Sequence, residues 1–422
     1  MKKRHSEIIA GLDIGTSAVR LVVGQRVERE PENVFGEMSI LAAAEAPSSG
    51  MHKGTITSIE DVVSSVSACL ERAERMLGVP IESVWVGISG LHIMSQPSKG
   101  VVAVSKADSE IAEEDVARAV EASRAIATPL NYEVLHVLPR SFVIDGQSSI
   151  KDPIGMTGIR LEVDSQIILG SSSQIKNLTK AVYRTGLNIE DLVLSILATA
   201  EAVVTPRQKE LGVVVVNIGM STTSLAVFEE GDILYTGILP IGSEHITNDI
   251  AIGLRTSIDI AEQVKVQYGE CQSGEISKRE EIDLLELGAQ DHEIVKKQYV
   301  SEIIEARVEE ILHKIDQELG RIKRSGLLPA GVVLTGGGAK LPGLVAAVKT
   351  NLRLPAILGY PIHTTGVADK VNDLSYATAV GLVEWGGAMI NSGIARGGSM
   401  AHKKVVASAT AHLRKWIKAL LP

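Results

Sequence analysis

Apolar positions in the middle of the chain form two blocks separated by small polar residues. Residues 211–218 contain four consecutive valines, and residues 225–228 are apolar again. Continuous apolar runs of this length are typical of buried strands, and Gly and Ser between them are typical of a turn. The pattern predicts a β-hairpin whose tight loop, residues 219–224, lets another group approach its backbone. Such a loop suits a phosphate, although an ordinary structural turn gives the same pattern.

The same pattern occurs near the N-terminus, in residues 8–24. Laid over the later hairpin without a gap, it places Gly15 on Gly219 and Asp13 on Asn217, an offset of 204 residues (217 minus 13). A repeat at about half the chain length indicates a duplicated domain rather than a solenoid. Two such domains facing each other would hold a polyphosphate between their loops.

A third glycine-rich loop occurs later in the chain. The apolar run 332–334 leads through Thr335 into three glycines, and a helical pattern follows. A buried strand that runs into glycines and then a helix offers close backbone approach and a helix N-terminus to a nucleotide. Strand and helix patterns alternate along the whole chain, which predicts an α/β fold.

Composition narrows the class of protein. A chain of 422 residues is long enough for two or more domains with sizeable cores. We expect a cytoplasmic protein, because no apolar run reaches the roughly 18 residues of a membrane span and the basic residues 2–4 precede too short an apolar run for a signal peptide. Two cysteines, Cys69 and Cys271, cannot form a disulfide framework or a cysteine metal site. A net charge of −9 and 3% aromatic residues argue against nucleic-acid binding.

The region between the hairpins predicts a helix and an inserted domain. Residues 58–77 have apolar positions at helical spacing and end before Gly78, which predicts a helix packed on the first sheet. Residues 83–164 then read as strand, strand, helix, strand, strand, with turns of their own. Residues 242–326 contain two helical stretches separated by an acidic patch, which predicts a further subdomain.

The three glycine loops, in this order, resemble those of the actin, Hsp70 and sugar-kinase ATPase superfamily. Other segments are similar to one of its branches, the FtsA family of bacterial cell-division proteins. In the inserted region these segments are 87–92, 111–116, 145–147 and 152–162. Outside it they are 195–202, 242–256, 261–265, 303–310, 335–343 and 376–382. The resemblance therefore covers about residues 8–385.

The resemblance implies an actin-like duplicated ATPase fold, with two RNase H-like domains and an inserted 1C subdomain. The implied boundaries are 1–82 and 165–207 for subdomain 1A, 83–164 for 1C, 208–241 and 327–385 for 2A, 242–326 for 2B, 386–410 for a flexible linker and 411–422 for an amphipathic membrane-targeting helix.

The resemblance also implies a site for ATP and Mg²⁺, and it assigns no catalytic residue. Asp13 would hold Mg²⁺ through water; a turn-stabilising carboxylate is the alternative. The residues that would bind the nucleotide are Gly15, Thr16 and Ser17 in the first hairpin, Gly219, Ser221, Thr222 and Thr223 in the second, Gly336, Gly337 and Gly338 beside the adenosine, and Glu262 with Lys265 at the ribose. For the last two, a solvated ion pair is the alternative.

Several positions depart from the superfamily pattern. Asn217 stands where Asp is common, Met220 and Ser221 where glycines are common, and Ala18 where Lys is common. An amide lacks the charge that would order Mg²⁺ or an attacking water, and Ala18 removes a cation from the phosphates. We therefore expect ATP binding with little or no hydrolysis.

The C-terminal segment has a different character. Glycine-rich residues 384–400 are typical of a flexible linker. Beyond them lie apolar residues at helical spacing with cations on the other face, namely Leu413, Trp416, Ile417 and Leu420, with Arg414, Lys415 and Lys418. A short basic amphipathic helix is typical of attachment to an anionic membrane surface. A helix docked on its own domain or on a partner is the alternative.

The resemblance implies a peripheral protein on the cytoplasmic face of the inner membrane, at the division septum. Such a protein self-associates into filaments, tethers filaments of the tubulin-like protein FtsZ and helps to assemble the other divisome proteins. In this family the region corresponding to 242–326 receives the FtsZ C-terminal peptide, and Arg307 is our candidate contact; an intradomain ion pair is the alternative. Other actin-fold ATPases, such as a sugar kinase or a chaperone, and an actin-like pilus-assembly platform protein are the competing functions.

Overall fold

The protein has two halves, each built on a β-sheet, and an inserted third sheet. The computed structural model describes residues 8–26, 38–106, 108–125, 128–289, 292–362 and 364–391. The helix predicted for 411–422 lies outside these residues, and so does the part of the predicted linker 386–410 that follows residue 391. Within the described part of the chain, none of the helices combines the length and the apolar character needed to cross a lipid bilayer.

The strands, in chain order, are β1 Ile8–Ile14, β2 Ala18–Arg26, β3 Met38–Pro47, β4 Met51–His52, β5 Thr55–Ile56, β6 Ser83–Ile88, β7 Ile93–Ala103, β8 Tyr132–Ile144, β9 Gln147–Ile150, β10 Arg160–Ser171, β11 Asn188–Leu194, β12 Val213–Ile218, β13 Thr223–Glu229, β14 Asp232–Leu239, β15 Glu281–Asp283, β16 Ile294–Lys296, β17 Gly331–Thr335, β18 Ala356–Leu358 and β19 Thr364–Gly366.

The helices are α1 Ile59–Leu77, α2 Glu113–Arg124, α3 Ser172–Arg184, α4 Ser195–Val203, α5 Pro206–Leu211, α6 Ser243–Leu254, α7 Ile258–Tyr268, α8 Lys297–Arg321, α9 Leu344–Leu352, α10 Ala368–Val371 and α11 Ala377–Asn391. Short 3-10 turns occur at Ser273–Glu275, Leu284–Leu287, Gly337–Lys340 and Leu374–Tyr376.

The first half contains a six-stranded sheet in the order β11-β6-β1-β2-β3-β19. Its central hairpin is the predicted one, with β1 antiparallel to β2 and parallel to β6. The helix predicted for 58–77 is confirmed as α1: Ser58 caps it by accepting the N–H of Asp61, and Gly78 ends it with φ of 78°. Such a φ suits glycine, because it has no Cβ. The apolar stripe of α1 packs on the sheet through residues such as Val62 and Val66.

The second half repeats this arrangement in a five-stranded sheet, β14-β13-β12-β17-β18. Here β12 is antiparallel to β13 and parallel to β17, as β1 is to β2 and β6. The four valines 213–216 are each 0% exposed, as expected of a strand with both faces covered. The predicted duplication is thus present as two matching hairpins, each with a parallel neighbour.

The insert is a four-stranded sheet, β7-β10-β8-β9, with α2 packed on it. The predicted insert boundaries are wrong at both ends. Strand β6 starts at 83 but pairs with β1 and β11 in the first half, and residue 164 lies in the middle of β10. Periodicity could not reveal this, because an apolar strand carries no local sign of which sheet it joins. The insert also contacts the second half, since Lys151 forms an ion pair with Asp232 and donates to the carbonyl of Glu230 at 2.9 Å.

Helices α4 and α11 lie between the two sheets and share one core cluster with residues of both. The predicted start of the linker at 386 is wrong, because α11 continues to Asn391. A Cβ added at Gly386 would lie 2.6 Å from Nε1 of Trp85, and one at Gly387 would lie 2.7 Å from Cε of Met38. These glycines therefore permit close packing of a helix on the first half, rather than flexibility.

Candidate functional site

A cavity of about 880 Å³ opens between the two hairpin loops, the third glycine loop and helices α6 and α7. This size falls within the usual range for ligand sites. The sequence-predicted residues that line it are Asp13, Gly15, Thr16, Ser17, Gly219, Ser221, Thr222, Glu262, Lys265, Gly336, Gly337 and Gly338. The prediction for Thr223 is wrong: this residue begins β13, is 0% exposed and donates its hydroxyl to the carbonyl of Ile241 at 2.8 Å.

The two hairpin loops have the same backbone geometry. The N–H of Gly15 donates to the carbonyl of Ala18 at 3.0 Å, and that of Gly219 donates to the carbonyl of Thr222 at 2.9 Å. A Cβ at either glycine would lie 2.9 Å from that same carbonyl oxygen. Only glycine fits such a close approach without a shift of the loop.

The loops touch each other and leave donors for a ligand. Thr16 Oγ1 and Ser221 Oγ are 2.9 Å apart, although the residues belong to different halves. In the described ranges, no hydrogen bond uses the backbone N–H of Thr16, Ser17, Met220 or Ser221. Adjacent backbone N–H groups of this kind form anion sites.

The start of α6 fixes the second loop. The N–H of Ser243 donates to the carbonyl of Gly219 at 2.9 Å, and the N–H of Glu244 donates to the carbonyl of Met220 at 2.8 Å. Because these N–H groups belong to the first turn of a helix, the loop satisfies donors that have no partner within the helix. The position of the second loop is therefore tied to that of α6.

Asp13 stands near the end of β1, at the floor of the cavity. Its Oδ1 lies 3.5 Å from the point where a Cβ on Gly87 would stand. Burial raises the pKa of Asp13 to about 6, and the positive charge of Arg20 opposes this rise. Arg20 is itself held by Glu45, with Nε to Oε2 at 2.7 Å, and its guanidinium lies 5.6 Å from the ring centre of Tyr376.

The ion pair that is the alternative for Glu262 and Lys265 is present, while a contact with the ribose stays a prediction. They form an ion pair on α7, with Nζ to Oε2 at 2.6 Å, and both line the cavity. Lys265 Nζ also donates to Oγ1 of Thr247 on α6 at 2.8 Å, and the Thr247 hydroxyl donates to Glu262 at 2.5 Å. This network joins α6 to α7 at the cavity wall.

The third loop follows β17 and presents its backbone to the cavity. Gly336 has φ of 87°, and its N–H donates to the carbonyl of Leu374 at 3.1 Å. At Gly337 the nearest atom to an added Cβ would be Ser375 Oγ, at 3.8 Å. A flat ligand can therefore approach this loop closely.

Further lining residues were not assigned from the sequence, namely Arg20, Glu45, Ser89, Ser195, Ser243, Thr247, Lys340, Ser375 and Thr378. Ser195 and Thr378 lie on α4 and α11 within segments whose family resemblance was recognised without a role. One feature of the sequence could have pointed to both residues: each is a small polar residue at the start of an otherwise apolar helix.

Arg307 lies on α8, away from the cavity. Its guanidinium binds Asp249 on α6, with Nη2 to Oδ1 at 2.8 Å, and also Glu310. The side chain is 24% exposed. The intradomain ion pair named as the alternative is thus present, and a partner of Arg307 would meet a cation that is already paired.

The two sheets with matching hairpins around one cavity define an actin-like protein. The structure of a type IV pilus biogenesis complex of PilM and PilN is similar, with a TM-score of 0.63 and 19% identity over 90% of this chain and 98% of that one. The structure of MreB5 of Spiroplasma citri bound to ADP has a TM-score of 0.52 and 13% identity over 93% of this chain and 99% of that one. Both likenesses concern the fold.

Sequence comparison identifies the family. A family model described as cell division protein FtsA matches residues 214–381, and one described as the SHS2 domain inserted in FTSA matches 90–169. Cell division protein FtsA of Pseudomonas aeruginosa is 35% identical over 418 residues, which cover 98% of each chain. The chain therefore belongs to the FtsA family of cell-division proteins, rather than to the pilus-platform, sugar-kinase or chaperone families that were the alternatives.

Proposed function

We propose that this protein binds ATP with Mg²⁺ between its halves and, on the cytoplasmic face of the inner membrane at the septum, tethers FtsZ filaments and self-associates. The observation that carries the nucleotide part is the meeting of two equivalent glycine loops and a third glycine loop around one cavity of about 880 Å³. MreB5, which shares the fold, was solved bound to ADP.

The residues of the cavity fit a triphosphate with its metal. The unused N–H groups of Thr16, Ser17, Met220 and Ser221 suit phosphate oxygens. Asp13 would hold Mg²⁺ through water, because this ion keeps several waters and uses few carboxylates when phosphates are present. Bound Mg²⁺ would neutralise charge on the phosphates. With Asn217 and Ala18 in place of the superfamily's Asp and Lys, we expect the protein to bind ATP and to hydrolyse little or none of it.

Calorimetric titration of ATP with Mg²⁺ tests the nucleotide site. Gly337→Leu places a side chain in the cavity without a clash in the fold, since nothing lies within 3.8 Å of its Cβ position. We expect it to weaken ATP binding at least about tenfold, which is about 1.4 kcal/mol. Gly274→Leu is the matched control: Gly274 also lies in a 3-10 turn with nothing within 4 Å of its Cβ position, but outside the cavity. Failure of the parent protein to bind ATP would contradict the proposal.

The membrane part rests on the sequence pattern of 411–422 and on family membership. Four large apolar side chains on one helical face would each gain about 1–2 kcal/mol on leaving water, and each cation about 1 kcal/mol near an anionic surface. Trp416→Glu should release the protein from anionic vesicles in co-sedimentation and leave ATP binding unchanged. Equal sedimentation of variant and parent would favour a docked helix instead.

The proposed binding of the FtsZ C-terminal peptide is tested by substituting Arg307. A second substitution controls for loss of the ion pair that Arg307 forms. Arg307→Met removes the cation, whereas Asp249→Asn disturbs the same pair and keeps the cation. If Arg307 contacts the FtsZ C-terminal peptide, only the first variant weakens peptide binding strongly, by about 1.5–3 kcal/mol for a charged hydrogen bond. If both variants weaken it equally, Arg307 acts through the structure of α6 and α8 alone.

A further inference from the structure

Three side chains from three elements form a continuous line of hydrogen bonds that runs from the floor of the cavity into the core. Asn217 on β12 donates its Nδ2 hydrogen to Oγ1 of Thr378 on α11 at 3.3 Å, and Thr378 Oγ1 lies 2.9 Å from Oγ1 of Thr199 on α4. Thr199 and Thr378 are 0% and 4% exposed. The line joins the second half to the two helices that lie between the sheets.

Only one assignment of the protons satisfies every contact in this line. The hydroxyl of Thr199 donates to the carbonyl of Ser195 at 2.8 Å, so its single proton is committed. Thr378 must therefore donate to Thr199, because two hydroxyl oxygens 2.9 Å apart need one proton between them. With its own proton committed as well, Thr378 can only accept from position 217.

The remaining atom of the Asn217 amide is then fixed by elimination. Because Nδ2 faces Thr378, Oδ1 must lie on the other side, and a Cβ built on Gly336 would stand 2.3 Å from this oxygen. Asn217 and Gly336 both line the cavity. The amide thus presents a neutral acceptor at the place where β12 meets the third loop.

We propose that Thr378 and Thr199 are positioning residues that require a hydrogen-bond donor at position 217 and so orient the Asn217 amide at the nucleotide. This inference rests on the proposed function of the cavity. It explains why position 217 carries an amide: an aspartate carboxylate is an acceptor only. With a carboxylate at position 217, Thr378 would have two acceptors and one proton, and one of the two acceptors would lose its bond in a buried place.

A second substitution can restore the hydrogen bonds of the line. It thereby distinguishes an effect of proton direction from a general effect of negative charge at position 217. Thr199→Val removes the competing acceptor, which frees the Thr378 hydroxyl to donate to a carboxylate at position 217. The change Asn217→Asp is therefore expected to be less harmful in the Thr199→Val protein than in the parent. Charge repulsion with phosphates would be the same in both backgrounds and cancels in the comparison.

The experiment is a double-mutant cycle with Asn217→Asp and Thr199→Val in the full chain. It follows the midpoint of thermal unfolding without nucleotide and the dissociation constant for Mg²⁺-ATP. We expect Asn217→Asp to lower the midpoint by about 2 °C more in the parent than in the Thr199→Val protein, and to weaken ATP correspondingly more. Additive effects in both measurements would overturn the proposal.

A second test compares two substitutions of Thr378, one of which keeps the hydroxyl group. Thr378→Ser keeps the hydroxyl and should leave the ATP dissociation constant within about twofold of the parent, whereas Thr378→Val should raise it about five- to tenfold. Equal behaviour of Ser and Val would overturn the assignment. If the parent binds no ATP, the proposed function fails, while the thermal cycle still tests the direction of the hydrogen bonds.

Discussion

The two hairpins at the cavity have the same backbone and different chemistry. In each, the glycine N–H closes the loop onto a carbonyl at 2.9–3.0 Å, and a Cβ there would meet that oxygen at 2.9 Å. At equivalent positions of the adjoining strands, however, the first hairpin carries the carboxyl of Asp13 and the second carries the amide of Asn217. Duplication has thus kept the backbone shape of the loop, while each half surrounds its polar side chain differently.

The surroundings account for this difference. Asp13 faces the charge of Arg20, which suits a group that ionises. Asn217 faces Thr378, whose proton is already used, which suits a donor. The lesson is that the helix packed beside a strand decides which side chain the strand can carry, even where the loop is the same.

The largest expected effect comes from substituting the glycine that closes each of the two hairpin loops. Gly15→Ala and Gly219→Ala should each lower the free energy of unfolding by about 2–3 kcal/mol, because the new methyl group forces a backbone carbonyl to move. The similarity of the two loops predicts equal effects in urea denaturation. Gly320→Ala is the control, since nothing lies within 4 Å of its Cβ position in α8; it should stabilise slightly. Clearly unequal costs at 15 and 219 would mean that the loops are not equivalent.

The next effect is a pH dependence of stability that Asp13 should cause and the uncharged Asn217 should not. The pKa of Asp13 is raised to about 6 from an ordinary value near 3.8, so the folded state favours the protonated carboxyl. The resulting penalty is absent below about pH 4, grows between pH 4 and 6 and is complete above pH 6. Without Mg²⁺ or nucleotide, Asp13→Asn should therefore raise the free energy of unfolding by about 2–3 kcal/mol at pH 7.5 and leave it nearly unchanged at pH 4.

Asp191 provides a matched control for this pH effect. Burial also raises its pKa to about 6, but it lies on β11, outside the residues that line the cavity. Asp191→Asn should remove a similar slope of stability with pH and leave Mg²⁺-ATP affinity as in the parent, whereas Asp13→Asn should weaken that affinity. Loss of nucleotide binding in both variants would show that stability alone was measured.

The smallest effect concerns the direct contact of the two loops. Thr16 and Ser221 share a hydrogen bond of 2.9 Å between the halves, worth about 0.5–1.5 kcal/mol. In a cycle of Thr16→Val, Ser221→Ala and the double variant, unfolding should show a coupling of about that size. Thr179→Val, which removes an exposed hydroxyl bonded within α3, should show none with Ser221→Ala. A coupling of zero between positions 16 and 221 would mean that the contact between the loops does not contribute to stability.

Local signals in the sequence predicted much of the fold. The four valines before Gly219, the glycines of the third loop and the helical spacing between Ser58 and Gly78 each act within a few residues of the chain. These elements were placed correctly, and twelve of the thirteen residues that the sequence proposes for the nucleotide line the cavity.

The errors arose where the outcome depends on distant neighbours. Gly386 and Gly387 suggested a linker because glycine is common in flexible segments, yet here they let α11 approach Trp85 and Met38. Thr223 continues the polar loop in sequence, but it begins β13 and its side chain is buried. Thr378 gave only the weak signal of a polar residue at the start of an apolar helix, since its contacts are with the distant elements α4 and β12.

The end of α11 also sets a distance. Because α11 packs on the first half, its C-terminal part lies beside β1 and β3. Between Asn391 and residue 411 there are about 20 residues, which span at most about 70 Å even when fully extended. If helix 411–422 lies on the membrane, the first half can stand no farther from it than this. Each residue removed from 392–410 shortens that limit by about 3.5 Å, so the allowed distance between the membrane and the first half would change without a change in either hairpin.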